Sequence, residues 1–248
     1  MFEPRVALAS LSGEADASWA RAVESHVGCA FLGGIALDGR TREAARAMAD
    51  RDRSEFLPAD PVAFVDAQLG ALADAPLRPA FNVRSATLDP VEQAAVVCQR
   101  HGAIIEINAH CRQDEMCAAG AGESLLREPD RLAEFVAAAA ATGATVSVKG
   151  RAELADVSLP DVARTIEAAG GDGFHVDAMD SESVVADVAD ATDLFVVANN
   201  GVRGAETARE YLSYGADAVS VGRASDKPEI LEEIRATTAD WFAEEVSP

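Results

Sequence analysis

Eight short runs of β-branched or apolar residues punctuate the chain, near Val6–Ala9, Cys29–Leu32, Ala80–Val83, Ala103–Ile107, Thr145–Lys149, Gly173–Val176, Leu194–Ala198 and Ala218–Val221. A longer amphipathic segment rich in Ala, Glu and Arg follows each of them, which is the pattern of repeated βα units on a parallel sheet. Helix-start signals fall between the runs. Asp60-Pro61, Asp89-Pro90, Glu128-Pro129 and Leu159-Pro160 each put proline into a first turn, where its missing N–H leaves no bond unmade. Eight units in 248 residues is the size of a (β/α)8 barrel, whose active site lies on the loops after the strand C-termini. A doubly wound open sheet is the alternative, but no GxGxxG follows the first strand. The expectation is an α/β protein, a single TIM-barrel domain over residues 1–248, with room for two helices between Arg40 and Leu77.

Composition narrows the function classes. With 49% apolar and 25% charged residues the chain is neither disordered nor fibrous. Its 42 acidic against 21 basic residues give a net charge of −21, and Lys149 and Lys227 are the two lysines. That balance disfavours a polyanionic partner, shows no basic patch for nucleic acid, and fits a halophilic solubility adaptation to a very salty cytoplasm. No apolar run reaches the roughly 20 residues a spanning helix needs, and the start lacks a signal-peptide pattern, so a cytoplasmic location is expected. Cys29, Cys98, Cys111 and Cys117 lack CxxC spacing and read as reduced thiols, with Cys29 and Cys98 in the core. No metal site is expected, because His110 and Cys111 are adjacent and no further ligand spacing accompanies them.

Polar residues gather at the expected strand ends: Asn82, Asn108 to Cys111, Lys149, His175, Asp177, Asn199 to Gly201, and Gly222-Arg223. In barrels the loops after strands seven and eight commonly bind phosphate through backbone N–H groups that glycine lets approach closely. Asn200-Gly201 and Gly222 fit such a site, and Arg223 adds a bidentate charge. The stretch from Ile107 to Leu126 holds a thiol, an imidazole, an amide and a tract of small residues. As a long loop after strand four it reads as part of an active site.

These residues resemble the dihydrouridine synthase family, flavin-dependent (β/α)8 enzymes that reduce the uracil C5=C6 bond in tRNA. The family pattern Asn-x-Gly-Cys-Pro, then Gly-Ala-Gly and a Leu-Leu pair, lies without a gap over Asn108-Ala109-His110-Cys111-Arg112, Gly120-Ala121-Gly122 and Leu125-Leu126. The likeness continues at Val148-Lys149, His175, Asn200-Gly201 and the run from Gly215 to Arg223. It covers about Pro79 to Arg223, and dihydroorotate dehydrogenases share its weaker parts. The chain departs from the pattern at four positions. His110 and Arg112 replace Gly and Pro, Asp177 stands where an Arg follows the strand-six His, and Asn82 stands where Gln is usual. The family's C-terminal tRNA-binding helical domain has no counterpart in the 25 residues after Arg223, so a barrel-only archaeal-type branch is the nearest fit.

The resemblance implies FMN, with its phosphate on Asn200, Gly201, Gly222 and Arg223. Lys149 would place positive charge near the N1/O2 edge of the ring, Asn82 would bond the ring, Asn108 would hold the flavin or the pyrimidine edge, and His175 would bond near the ring or phosphate. Cys111 would be the proton donor facing the flavin across the substrate, with Asp114 and Glu115 favouring its neutral thiol. His110 and Arg112 would read an anionic group on the substrate. The expected substrate is a uracil-type ring in tRNA or a free pyrimidine, and NADPH or NADH is the expected electron donor. Two alternatives stand: a flavin oxidoreductase on a free small molecule, similar to dihydroorotate dehydrogenase, or a flavin-free sugar-phosphate lyase or isomerase with Lys149 as a Schiff base.

Overall fold

A computed structural model describes residues 1–245; the last three positions of the expected domain lie outside the described residues. The strands are β1 (Val6–Leu8), β2 (Cys29–Ala36), β3 (Arg78–Arg84), β4 (Ile104–Asn108), β5 (Thr145–Arg151), β6 (Gly173–Asp177), β7 (Phe195–Asn199) and β8 (Ala218–Val221). They close into one parallel barrel in chain order, with β8 pairing back onto β1 at Leu8↔Val221. Helices return the chain between strands, including the two expected ahead of β3, at Gly39–Ala49 and Pro61–Gly70. Asp60 caps the second of these by accepting from the backbone N–H groups of Val62 and Ala63. The fold is a (β/α)8 barrel.

Six strands run further than their apolar runs suggest: β2 to Ala36, β3 to Arg84, β4 to Asn108, β5 to Arg151, β6 to Asp177 and β7 to Asn199. At this end of the barrel the inward positions change from apolar to polar, so the continuous apolar run ends while the ladder continues. Arg84 and Arg151 are buried in those extensions, two residues beyond the buried Asn82 and Lys149.

The interior therefore has two levels. An apolar floor of Ala7, Cys29, Phe31, Ala80, Ile104, Val197 and Ala218 is closed from below by Phe2. Outward-facing residues such as Leu32, Phe81, Ile105, Val148, Phe174 and Val219 join the larger core shared with the helices. Cys98 packs in that outer core and Cys29 in the floor, as expected of structural thiols. No helix among the described residues is long and apolar enough to cross a membrane.

Candidate active site at the barrel mouth

Above the apolar floor, one line of hydrogen bonds crosses the barrel from β4 to β8. Glu106 is fully buried; its Oε1 accepts from Asn82 Nδ2 at 2.6 Å and its Oε2 lies 2.7 Å from His175 Nδ1. His175 Nε2 lies 2.7 Å from Ser220 Oγ, and that hydroxyl is 2.8 Å from Asn199 Oδ1. In the other direction, Asn82 Oδ1 accepts from Asn108 Nδ2 at 2.9 Å. Asn108 Oδ1 accepts the backbone N–H of Cys111 at 2.9 Å and of His110 at 3.2 Å. Burial pushes the Glu106 carboxyl upward, but His175, Lys149 and Asn82 together hold it below the usual carboxylate range. Burial and the Lys149 charge lower His175, so its ring is neutral at neutral pH.

Asn108 thus fixes the start of the cysteine loop, and glycine fixes its return. Gly122 adopts φ +64°, and a Cβ there would lie 2.2 Å from the Cys111 carbonyl oxygen, well inside contact distance. That approach lets Glu123 N–H donate to the same carbonyl at 2.9 Å, while Cys117 Sγ lies 3.4 Å from it. Leu125 and Leu126 bury behind the turn, which accounts physically for the spacing of Gly-Ala-Gly and Leu-Leu after the cysteine. Gly122→Ala is expected to destabilise the fold by about 1–3 kcal/mol through the left-handed backbone alone, and by more if the Cys111 carbonyl cannot move. A urea midpoint within error of wild type would contradict this.

The Cys111 thiol is half-buried against Met116, Ala119 and Ala121. The guanidinium of Arg84 stands beside it, a charge the sequence did not indicate. Glu115 instead pairs with Arg51 at 2.8 Å, because the short helix Asp114–Ala118 turns it away. Arg84 is itself held by a buried ion pair with Glu55 and by the Gly34 carbonyl. Glu55 and the Cys111 sulfur outweigh the burial of Arg84 and raise it above the usual arginine range.

Lys149, on the strand next to Asn108 and in register with it, is buried, and its ammonium makes no hydrogen bond to a described residue. Burial pulls its ammonium below the usual lysine range, and Glu106 and Asp177 oppose that pull. His110 Nε2 lies 2.9 Å from Asp177 Oδ2, so two of the four departures from the family pattern touch each other. Burial lowers His110, leaving a neutral ring that donates to an ionised carboxylate. This revises the expectation for His110: with Asp177 on its ring, it is poorly placed to read an anion. Arg112 is exposed, with no partner among the described residues, and keeps that role open.

Against its burial, Asp177 is held down at about 2, chiefly by its bond to His110. The group therefore stabilises the fold above the unfolded carboxylate value, and that contribution is lost as pH falls through about 2. Its size is on the order of 2 kcal/mol. In Asp177→Asn, the fall in urea midpoint between about pH 6 and about pH 3 should be shallower than in wild type. Equal slopes in the two proteins would show that Asp177 is not held in this way.

On the opposite side of the mouth, Asn200 and Gly201 both have positive φ, at 86° and 68°. Open space surrounds the Cβ positions of Gly201 and Gly222, and Arg223 is exposed with no partner among the described residues. Asn82 and His175 sit deeper, each bonded through both heteroatoms to other side chains. Buried side-chain nitrogens without partners among the described residues include Arg84 Nε, His110 Nδ1 and Arg151 Nε, all at the mouth end of the barrel. Arg151 pairs with Glu123 of the cysteine loop at 2.7 Å.

Sequence reading missed Glu106, Ser220, the Arg84–Glu55 pair and the Arg151–Glu123 pair. Glu106 carried a usable signal: an acid inside Ile104-Ile105-Glu106-Ile107 must be buried, and a buried carboxylate needs partners. The ion pairs carried none, since their members are far apart along the chain.

A parallel barrel with a cysteine loop, a buried lysine and an open glycine-lined loop pair at one mouth is the arrangement of a (β/α)8 enzyme with its active site at the strand C-termini. The family described as Dihydrouridine synthase (Dus) matches residues 83–247, and the chain belongs to that family. An uncharacterized protein of Methanocaldococcus jannaschii is 27% identical over 235 residues, covering 90% of this chain and 89% of its own. Among solved structures, DHODH in complex with ferulenol from Eimeria tenella superposes with a TM-score of 0.70 at 16% identity, covering 97% of this chain and 82% of that one. The tryptophan synthase complex from Pyrococcus furiosus gives 0.58 at 14%, covering 98% and 100%. These likenesses show the fold.

Proposed function

We propose that the protein is an FMN-dependent oxidoreductase that reduces the C5=C6 bond of a uracil-type ring, with Cys111 as proton donor. The observation that carries this reading is the placement of Cys111 beyond the Asn108 anchor on β4 with the buried Lys149 beside that anchor on β5. The residues present fit a flavin. Arg84 and Arg151 keep buried N–H donors unpaired at the mouth, and the backbone at Gly201 and Gly222 leaves room beside the free guanidinium of Arg223. FMN, when bound, supplies the hydride; Asn200, Gly201, Gly222 and Arg223 would hold its phosphate, and Lys149 and Asn108 its ring.

The chain's own part is acid catalysis and positioning. Adding hydrogen across a polarised C=C bond needs a proton at one carbon as the other is reduced, so a donor must face that carbon. The Cys111 thiol gives its proton, and the thiolate left behind meets the positive charge of Arg84. Lys149 places its ammonium where negative charge gathers during reduction. His110, fixed by Asp177, and the free Arg112 line the approach to the thiol and set which ring enters.

The absorption spectrum of protein purified in molar salt tests the class: a flavin spectrum with FMN released on heating supports it. No flavin, with no uptake of added FMN, would move the reading to a sugar-phosphate lyase or isomerase using Lys149. Turnover with NADPH or NADH on tRNA transcripts against free uracil and dihydropyrimidines then separates the substrates.

A further inference from the structure

We propose that Glu106 is a positioning residue for the proton donor: its buried carboxylate sets the direction of a hydrogen-bond line that ends on the Cys111 backbone. The inference rests on the reading of Cys111 given above. Its physical basis is that the line has no freedom of direction. The backbone N–H of Cys111 can only donate, so Asn108 must turn its oxygen to it and its Nδ2 to Asn82. Asn82 must then present its oxygen to Asn108 and its Nδ2 to Glu106, whose oxygen accepts. The other Glu106 oxygen accepts as well, which requires the proton of the neutral His175 ring to sit on Nδ1. His175 Nε2, 2.7 Å from Ser220 Oγ, lies outside that fixed stretch, since the single Ser220 proton can go to it or to Asn199 Oδ1. A carboxylate, with two acceptor oxygens and no donor, satisfies both neighbours as they stand; a carboxamide does so only if one neighbour reverses its donor and acceptor.

Glu106→Gln keeps the size of the side chain and reverses one end. If its amide nitrogen faces His175, the ring must move its proton to Nε2. If it faces Asn82 instead, both asparagine amides must turn over, and Asn108 meets the Cys111 N–H with its own Nδ2, breaking that bond. One of the two changes is unavoidable. A packing role alone would produce neither, because the variant is isosteric.

The test uses the full chain, flavin-free and flavin-loaded, with ¹⁵N-labelled histidine and amide hydrogen exchange read by NMR. Wild type should show His175 protonated on Nδ1 near neutral pH. Glu106→Gln should show either protonation on Nε2 or exchange at Cys111 N–H faster by about 10-fold or more. In the flavin-loaded enzyme kcat should fall about 10-fold or more with KM changed little. A wild-type ring protonated on Nε2, or a variant with both readouts unchanged, overturns the proposal without any use of activity. Altered readouts with unaltered turnover also overturn it. If Cys111→Ala is inactive in that case, the reading of Cys111 survives and the role of Glu106 alone has failed. If Cys111→Ala is active, the reading itself has failed and takes this proposal with it.

Discussion

Cys111→Ala should leave FMN bound and reducible while slowing reduction of the uracil-type ring by about 10²–10⁴-fold, the usual range for a positioned general acid. The substitution is clean because the loop does not depend on the thiol. Its carbonyl accepts from Glu123 N–H and its own N–H donates to Asn108, both through the backbone. The side chain is half-buried beside Met116, Ala119 and Ala121, so losing the sulfur removes modest apolar contact and should shift the urea midpoint little. The measurement is a single-turnover mixing experiment in which pre-reduced enzyme meets substrate and the flavin absorbance is followed. Cys111→Ser is the informative companion, since a hydroxyl fits the space but is a far weaker acid; it should resemble the alanine variant. A Cys111→Ala rate within about threefold of wild type would remove the thiol from the chemistry.

The architecture was legible because each strand left a short apolar run, as parallel strands buried on both faces do, and several helices a proline or capping signal. The cysteine loop was legible for a different reason: Gly122 and the Leu125-Leu126 pair are where the chain must turn tightly and then bury, and such requirements leave residue types at fixed spacing. What stayed hidden is the electrostatics of the mouth. Asp114 and Glu115 stand near Cys111 along the chain, yet a short helix turns Glu115 to Arg51, and Arg84 from β3 takes the place beside the thiol. His110 and Asp177 were each visible as departures from a family pattern, but their contact depends on how β4 and β6 face each other around β5. Sequence spacing reports what one element must do alone; ion pairs across a barrel are set by register, which only closure fixes.

Glu55→Ala should destabilise the protein by about 3–5 kcal/mol, the cost of leaving one member of a buried pair without its partner. The Arg84 and Glu55 side chains are 1% and 0% exposed, so solvent cannot take over for the lost carboxylate. The guanidinium would retain the Gly34 carbonyl and the Cys111 sulfur beside it, neither of which neutralises a full charge. Against a total stability of roughly 5–15 kcal/mol the loss is large, and it should appear as a lower urea midpoint at constant slope. The double variant Glu55→Leu with Arg84→Met should recover most of the loss, because removing both charges leaves nothing buried and unpaired. Recovery of stability should not restore full turnover, since Arg84 also faces the thiolate that Cys111 leaves after giving up its proton. A loss below about 1 kcal/mol in Glu55→Ala would mean that the segment carrying Glu55 opens readily and lets water reach Arg84. A double variant as unstable as the single one would mean that the pair, rather than the unpaired charge, carries the stability. The two measurements together separate the cost of burying a charge from the worth of the contact that neutralises it.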